Sequence, residues 1–343
     1  MLEKIEIQNF TCFPQATLNF SKGLNVIVGE NGTGKSHILK LGYAVLRSLR
    51  RDASFVKEVY ARDFATQLLE IFRPDVLGRL PLRAHGHRSC TIEAAWMKKG
   101  KLGLNFSPRN TELVNIDYFE SPAYILLPLF VPPKEILSVF PGFQHALENR
   151  ELSFDATYLD LAKALGASPL KGPRLERIGR YLTLLEEMIG GQVNLENGKF
   201  YFHSHSKNSI NKKLEAQLMP EGHRKLGMIM HLLRTGGLTK RSTLFWDEPE
   251  ANLNPKLIRK LAGILVHLSS FMQIVVATHS LFLLREFEIF AEQERNNNIR
   301  YFGLHFDGPH VCVIQGDSPH KIGNITSLDE TIGQSSRYLN AGE

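Results

Sequence analysis

One segment constrains the fold of this chain more than any other, Gly29-Glu30-Asn31-Gly32-Thr33-Gly34-Lys35-Ser36. It matches G-x-x-x-x-G-K-S, the phosphate-binding loop (P-loop, or Walker A motif). The apolar residues 23–28 before it predict a buried strand, and residues 37–46 after it have apolar side chains at helical spacing. A strand, a glycine-rich turn and a helix are the context that the motif requires. We therefore predict a triphosphate site in which Lys35 reaches the terminal phosphates and Ser36 ligates Mg²⁺.

Polar side chains follow two later apolar runs. The first run, residues 242–246, ends in Asp247-Glu248-Pro249-Glu250, and the second, residues 271–277, ends in Thr278-His279-Ser280. In P-loop ATPases the first acid at such a position (Walker B) holds Mg²⁺, and the second can polarise the attacking water. We assign Asp247 to the metal and Glu248 to the base. His279 is predicted to contact the γ-phosphate and the water.

The composition indicates an ordinary globular chain. Hydrophobic residues make up 43% and charged residues 22% of it, and its formal net charge is +6. This charge permits nucleic-acid binding, but a solvated surface with surplus Lys and Arg explains it equally well. The three cysteines are far apart and predict neither a disulfide framework nor a zinc site. The N-terminus lacks a signal-peptide core and residues 124–131 are too few to span a bilayer, so we expect a cytoplasmic protein without membrane contacts.

The remaining patterns suggest a core with an inserted lobe. Alternating apolar residues predict strands at the N-terminus and an antiparallel β subdomain near 88–120, with a hairpin around Lys98-Lys99-Gly100. Residues 53–80 and 143–190 have helical periodicity, the latter interrupted at 166–173, and residues 193–202 predict a hairpin that turns at Asn197-Gly198. We therefore assign 1–142 and 191–343 to an α/β core and 143–190 to a helical lobe.

The P-loop, the Asp247-Glu248 strand and the Thr278-His279-Ser280 strand, in that order, resemble those of ABC-type ATPases. The P-loop and the Asp247-Glu248 strand are far apart in the chain. This wide separation resembles the branch of the family in which a helical lobe lies between the two Walker motifs. The opening Ile5–Phe10, taken with residues 23–29, looks particularly like the RecF/SMC/OLD group. The resemblance implies a P-loop NTPase fold with a mixed sheet, flanking helices and an inserted helical lobe.

That family has a signature motif at a helix start, which binds the γ-phosphate of ATP held by the opposite subunit. The matching segment is Met219–Gly227, which lacks the usual Ser-Gly-Gly core and is similar to the Glu-Gly-x-x-Lys version of the OLD-like group. The resemblance implies that the in-trans contact comes from Glu221, Gly222, His223 and Lys225, with Gly222 allowing close backbone approach and Lys225 supplying charge. An ordinary helix start is the alternative.

Two other features have weaker interpretations. Val131-Pro132-Pro133-Lys134-Glu135 lies where the family's Q-loop should be, and Lys134 or Glu135 is the candidate coupling residue. The pairs His203/His205 and His85/His87 have no ligand partner at a recognised spacing, so we expect exposed polar histidines.

The resemblance implies an ATPase that uses ATP and Mg²⁺, forms a head-to-head homodimer or higher oligomer, and controls a separate effector in anti-phage defence. OLD nucleases have a Toprim nuclease domain after the ATPase, but only residues 286–343 follow Arg285 here. We therefore expect the effector, a nuclease or a toxin, to be another polypeptide. The alternative is a RecF-like DNA-binding repair ATPase. Direct binding of nucleic acid by this chain is therefore left open. A transporter subunit is a third class, but the standard transporter signature is missing.

Overall fold

The centre of the fold is a six-stranded mixed sheet. A computed structural model describes residues 1–49, 56–83, 88–97, 99–110, 112–120, 127–149, 152–206, 212–294, 298–324 and 326–341. The sheet has the order β14-β13-β3-β12-β11-β7, and only β14 is antiparallel to its neighbour. Its strands are β3 (Leu24–Gly29), β7 (Leu127–Val131), β11 (Ser242–Asp247), β12 (Gln273–Thr278), β13 (Ile299–Asp307) and β14 (His310–Gly316).

Helices cover both faces of this sheet, and for this reason β3, β11 and β12 are buried along their whole length. Alternate residues face two separate hydrophobic clusters, Val26 and Val28 lying in one and Ile27 in the other. The flanking helices are α1 (Lys35–Ser48), α8 (Pro255–Ser269) and α9 (Leu281–Gln293). The structure thus confirms the predicted α/β fold with a mixed sheet and flanking helices.

A second, antiparallel sheet of order β2-β1-β4-β5-β6 joins the N-terminal strands to three strands of the region near 88–120. It consists of β1 (Leu2–Phe10), β2 (Phe13–Asn19), β4 (Cys90–Trp96), β5 (Gly100–Phe106) and β6 (Asn115–Glu120). The helix predicted over 53–80 is shorter, α2 (Lys57–Phe72), because Arg73 adopts a left-handed conformation (φ 54°) and Pro74 follows. Residues 53–55 of that prediction lie outside the described residues.

The helical lobe contains more than helices. A three-stranded sheet, β10-β9-β8, packs with them, and its hairpin turns at Asn197 and Gly198 as predicted. The Phe200 ring packs edge-on against the rings of Phe140 and His231, with centroids 4.8 Å and 4.9 Å apart, so we propose a lobe that includes 191–235. Its elements are α3 (Phe140–Glu148), α4 (Ala156–Leu165), α5 (Pro173–Glu176), α6 (Gly179–Ile189), β8 (Gly191–Glu196), β9 (Lys199–Ser204), β10 (Lys213–Glu215) and α7 (Glu221–Thr235).

The lobe is joined to the core by ion pairs between α4 and α1. Asp160 accepts from Arg47 Nε at 2.6 Å and from the Tyr43 hydroxyl at 2.5 Å. Asp155 pairs with Lys40 at 2.7 Å and also caps α4 by accepting from the Thr157 backbone N–H. Because α1 starts at the P-loop, these bonds connect the phosphate-binding segment directly to the lobe.

The chain ends with α10 (Thr326–Asn340). Across the parts of the chain that the structure describes, no helix has the length and apolar character needed to cross a bilayer.

Candidate nucleotide site

The P-loop connects the carboxyl end of β3 to α1. Gly32 and Gly34 have left-handed φ angles of 86° and 84°, which residues with a Cβ rarely adopt. Gly29 is needed for a different reason, since a Cβ there would lie 2.7 Å from Thr33 Oγ1 and 2.9 Å from the Leu304 carbonyl oxygen. The loop therefore has the tight backbone that aims successive N–H groups at one point.

The Lys35 side chain is folded into this loop and is only 7% exposed. Its Nζ donates to the carbonyl oxygens of Gly29 at 2.9 Å and Glu30 at 3.0 Å. Burial lowers the pKa of Lys35, and the nearby carboxylates of Glu248 and Asp247 oppose that shift. A partly desolvated ammonium held by neutral carbonyls can exchange them for phosphate oxygens, which form stronger, charge-assisted hydrogen bonds.

Ser36 and Asp247 meet as the sequence predicts. Parallel pairing of β3, β12 and β11 brings their carboxyl ends to one edge of the sheet, and the Ser36 side chain lies close enough to Asp247 there to lower the pKa of its carboxyl. The Oδ1 atom of Asp247 is buried and has no hydrogen-bond partner among the described residues. Burial raises the pKa of Asp247, as does the adjacent Glu248. A hydroxyl beside a carboxylate with an unused oxygen fits a Mg²⁺ site.

Glu248 and His279 also come together. The Glu248 backbone has a left-handed φ of 47°, and its N–H donates to the Ala277 carbonyl oxygen at 2.9 Å. This turn brings Glu248 Oε1 within 3.2 Å of His279 Nδ1. Both side chains remain accessible, at 32% and 49% exposure, so the pair opens toward solvent next to the P-loop.

Gly222, the central residue of the predicted signature, lies against side chains of its own chain. A Cβ at this position would lie 2.5 Å from Leu257 Cδ1 and 3.0 Å from Leu253 Cδ2, both of the same chain. A residue with a Cβ at this position would therefore have to displace these leucine side chains, where α7 packs against the start of α8. The assignment of Gly222 to a contact with a partner's phosphate stays a prediction.

Lys225 is likewise turned inward and is only 1% exposed. Its Nζ donates to the Ala251 carbonyl oxygen at 2.6 Å, in the loop after Glu248. Burial lowers the pKa of Lys225, against the influence of Glu221 and other carboxylates. The Lys225 ammonium, which we expected to supply charge to a second subunit, is hydrogen-bonded within its own chain.

Glu221 and His223 are the predicted signature residues that keep some exposure. Glu221 Oε1 accepts from Asn252 Nδ2 at 3.1 Å, a second bond from α7 to the loop after Glu248. His223 Nδ1 is buried and has no partner among the described residues. The start of α7 thus holds the loop that follows Glu248 in its own chain.

The predicted Q-loop segment follows β7 and contacts the same helix. Glu135 Oε1 lies 2.6 Å from Arg224 Nε, and the Glu135 side chain is 6% exposed. Lys134 points to solvent. Of the two candidates, Glu135 is therefore the one that joins this segment to α7.

The pair His203 and His205 is not part of this site. His203 Nε2 lies 2.6 Å from Glu196 Oε1, and His205 is exposed. His85 and His87 lie outside the described residues. Within the described ranges, no group of three or more His, Cys, Asp or Glu side chains is arranged to hold a metal ion.

The sequence analysis gave no role to Glu250, although this residue belongs to the motif Asp247-Glu248-Pro249-Glu250. Glu250 is 6% exposed, and its Oε1 accepts a short hydrogen bond from Thr278 Oγ1. The signal was available, because a third acid stands in the loop that already carries Asp247 and Glu248.

Comparison with known proteins agrees with this geometry. Residues 118–285 match a family described as "AAA domain, putative AbiEii toxin, Type IV TA system", and residues 1–73 match an "AAA ATPase domain" family. The "DNA replication and repair protein RecF" of Streptococcus thermophilus is 25% identical over 165 residues, which are 46% of this chain and 45% of that protein. These findings support an ABC-type AAA ATPase. The chain spans about half the length of these RecF relatives.

A further sequence match and two structures extend the comparison. The "Chromosome partition protein Smc" of Methanocaldococcus jannaschii is 53% identical over 38 residues, which are 11% of this chain and 3% of that protein. An SMC head bound to the C-winged helix domain of ScpA has a TM-score of 0.57 at 15% identity, covering 92% of this chain and 97% of that one. The SMC head domain from Thermotoga maritima has a TM-score of 0.50 at 15% identity, covering 92% and 98%. At this identity the likeness shows the fold, which is that of a P-loop ABC ATPase head.

Proposed function

We propose that this ABC-type ATPase hydrolyses ATP in a Mg²⁺-dependent reaction at the P-loop. The observation that carries the proposal is the meeting of Ser36, Asp247, Glu248 and His279 at one sheet edge. Ser36 and Asp247 would hold Mg²⁺, and Mg²⁺-ATP, when bound, supplies the phosphoryl group and neutralises part of its charge. Lys35 binds the terminal phosphates.

In this proposal Glu248 orients the attacking water and accepts its proton. His279 lies within reach of the Glu248 carboxylate, and we propose that it would contact the γ-phosphate. The hydrogen-bonded turn at Glu248 matters because a general base must be within hydrogen-bond reach of the proton that it removes.

We further propose that two copies assemble head to head around the nucleotide. The exposure of Glu248 and His279 supports this, since their own chain leaves the reacting side open to water. The partly exposed start of α7, with Glu221 and His223, would present a helix N-terminus to a partner's phosphate. Gly222 and Lys225 would act indirectly, by placing this helix.

The wider role that we propose is control of a separate effector, a nuclease or a toxin, in anti-phage defence. Support comes from the resemblance to the OLD-like group and from the toxin–antitoxin description of the family that matches 118–285. The test is phage plating on cells that carry this gene with its genomic neighbours. Protection should disappear with Lys35→Ala and with deletion of a neighbouring effector gene, and undiminished protection in both cases would refute this role.

The enzymatic proposal has its own test in phosphate release by the purified full chain. Activity should require Mg²⁺ and should be lost in Asp247→Asn, whereas Asp317→Asn, on the exposed surface, should act as wild type. Equal activity in EDTA would contradict the assigned metal site.

A RecF-like DNA-binding ATPase is the second candidate. The RecF relatives and the net charge of +6 favour it, as do exposed Lys171, Arg174 and Arg177 around a concavity of about 570 Å³ on the lobe. Duplex DNA affinity should then fall steeply as salt rises. Arg174→Glu should weaken that binding more than Lys240→Glu, which lies outside this concavity.

A further inference from the structure

Glu250 is a buried carboxylate that the proposed reaction does not use. It lies between β11 and α8, two residues after Glu248. Its Oε1 accepts from Thr278 Oγ1, while Oε2 is buried without a hydrogen-bond partner within the residues that the structure describes. A buried carboxylate is costly to desolvate, so an inward-facing acid beside a catalytic loop calls for a structural explanation.

The Thr278 hydroxyl is bonded on both sides. It donates to Glu250, and its oxygen accepts the Ser280 backbone N–H at 3.0 Å. Ser280 in turn caps α9, its side chain accepting from the Leu283 backbone N–H at 3.2 Å. These bonds hold the two residues that flank His279 in the chain.

Glu248, the other residue of the Glu248–His279 pair, is held by backbone hydrogen bonds of its own turn. The Glu248 N–H donates to the Ala277 carbonyl oxygen at 2.9 Å, and the Glu248 carbonyl oxygen accepts from the Ala251 N–H at 3.1 Å. Glu250 therefore joins the turn that carries Glu248 to the turn that carries His279.

We propose that Glu250 is a positioning residue, which acts through Thr278 to hold His279 within reach of Glu248. The inference rests on the proposed function, because it assigns a role in the same hydrolytic site. Lys35 Nζ is held by P-loop carbonyl oxygens, whereas the Glu250 carboxylate is hydrogen-bonded to Thr278, so loss of the Glu250–Thr278 bond should affect turnover more than nucleotide binding. A loss of alignment of this kind costs rate without a change in the reacting groups.

The experiment uses Thr278, because Glu250→Ala could fail to fold. Thr278→Val keeps the side-chain shape but loses the hydroxyl, and Thr278→Ser keeps the hydroxyl. We expect Thr278→Val to lower kcat for ATP about 10-fold with little change in KM, and Thr278→Ser to retain near wild-type kcat. Glu250→Gln, whose amide oxygen still accepts from Thr278, should also retain most of the activity.

A second comparison separates positioning from a general loss of structure. In a His279→Ala background, Thr278→Val should cause little further loss of kcat, because its effect passes through His279. Equal losses in both backgrounds, or wild-type kcat in Thr278→Val, would overturn the inference. If Glu248→Gln stops turnover while Thr278→Val has no effect, the ATPase assignment stands and only the role of Glu250 fails. If Glu248→Gln also leaves turnover unchanged, the proposed site itself is wrong.

Discussion

Glu248 Oε1 and His279 Nδ1 lie 3.2 Å apart, although they are separated by a helix and a strand in the chain. They meet because β11 and β12 are adjacent and parallel, so that both side chains follow strands at the same edge of the sheet. The arrangement places a carboxylate and an imidazole beside the P-loop in a position open to water.

The first prediction concerns this pair. Glu248→Gln keeps the shape of the side chain but removes the base, so ATP turnover should fall at least about 100-fold while Mg²⁺-ATP binding is preserved. His279→Ala should lower turnover less, by about 10-fold, because it positions and does not accept the proton. Phosphate-release kinetics and calorimetry measure the two effects. Normal hydrolysis by Glu248→Gln would place the base elsewhere.

The second prediction concerns nucleotide affinity. Lys35→Ala removes the ammonium that meets the terminal phosphates, and ATP binding should weaken at least about 100-fold or disappear. Lys22→Ala is the control, because Lys22 is exposed before β3, at the end of the strand away from the P-loop. Calorimetry with ATP should show binding to the control alone. Unchanged affinity of Lys35→Ala would contradict the P-loop assignment.

The third prediction follows from the burial of Asp247. Burial raises the pKa of this carboxyl above its ordinary value, so the folded chain binds its proton more tightly than the unfolded chain. The stability linked to this group is present below the unfolded pKa of about 3.9 and is lost as pH rises through the folded pKa. Asp247→Asn, which cannot ionise, should therefore unfold at a higher temperature than wild type at neutral pH without nucleotide.

Thermal unfolding across pH 4 to 8 measures this difference, which should shrink toward the acidic end. Added Mg²⁺ and ATP should stabilise wild type more than Asp247→Asn, because the metal uses the ionised carboxylate. A variant that is less stable than wild type at neutral pH in EDTA would show that the carboxylate is favourably solvated.

The fourth prediction tests the head-to-head pair. In the Glu248→Gln background ATP should trap a dimer, and adding His223→Glu should prevent it, because a carboxylate at the start of α7 would repel the partner's triphosphate. His223→Gln, of similar size but neutral, is the matched control and should still dimerise. Light scattering with and without ATP measures the outcome. Equal dimerisation by both variants would exclude this part of α7 from the interface.

The fifth prediction concerns the joint between core and lobe. Asp160→Asn weakens the bonds to Arg47 and Tyr43, and the free energy of unfolding should fall by about 2 kcal/mol. Glu120→Gln removes an ion pair with Lys101 in which both side chains are 51% exposed, and should have no measurable effect. Urea unfolding compares them. A similar small effect for both would show that the joint does not contribute to stability.

Much of the site was determined by the sequence alone. Residues 29–36, Asp247, Glu248 and His279 were identifiable because each follows an apolar strand, and parallel strands bring their carboxyl ends together. The α/β fold followed from the same reasoning, since local periodicity encodes strands and helices. The roles assigned to these residues remain predictions.

Only the tertiary structure decided what surrounds Gly222, Lys225 and Glu250. Their sequence contexts, a helix start and a loop, are compatible with exposure or burial. For Gly222 and Lys225 the choice depends on α7 packing against the segment from Ala251 to Leu257, which is distant from it in sequence. For Glu250 it depends on the hydrogen bond from Thr278 on the neighbouring strand β12. The lobe boundary has the same origin, because the hairpin of β8 and β9 is local, whereas its attachment to the lobe helices arises from long-range hydrophobic contacts that no local pattern specifies.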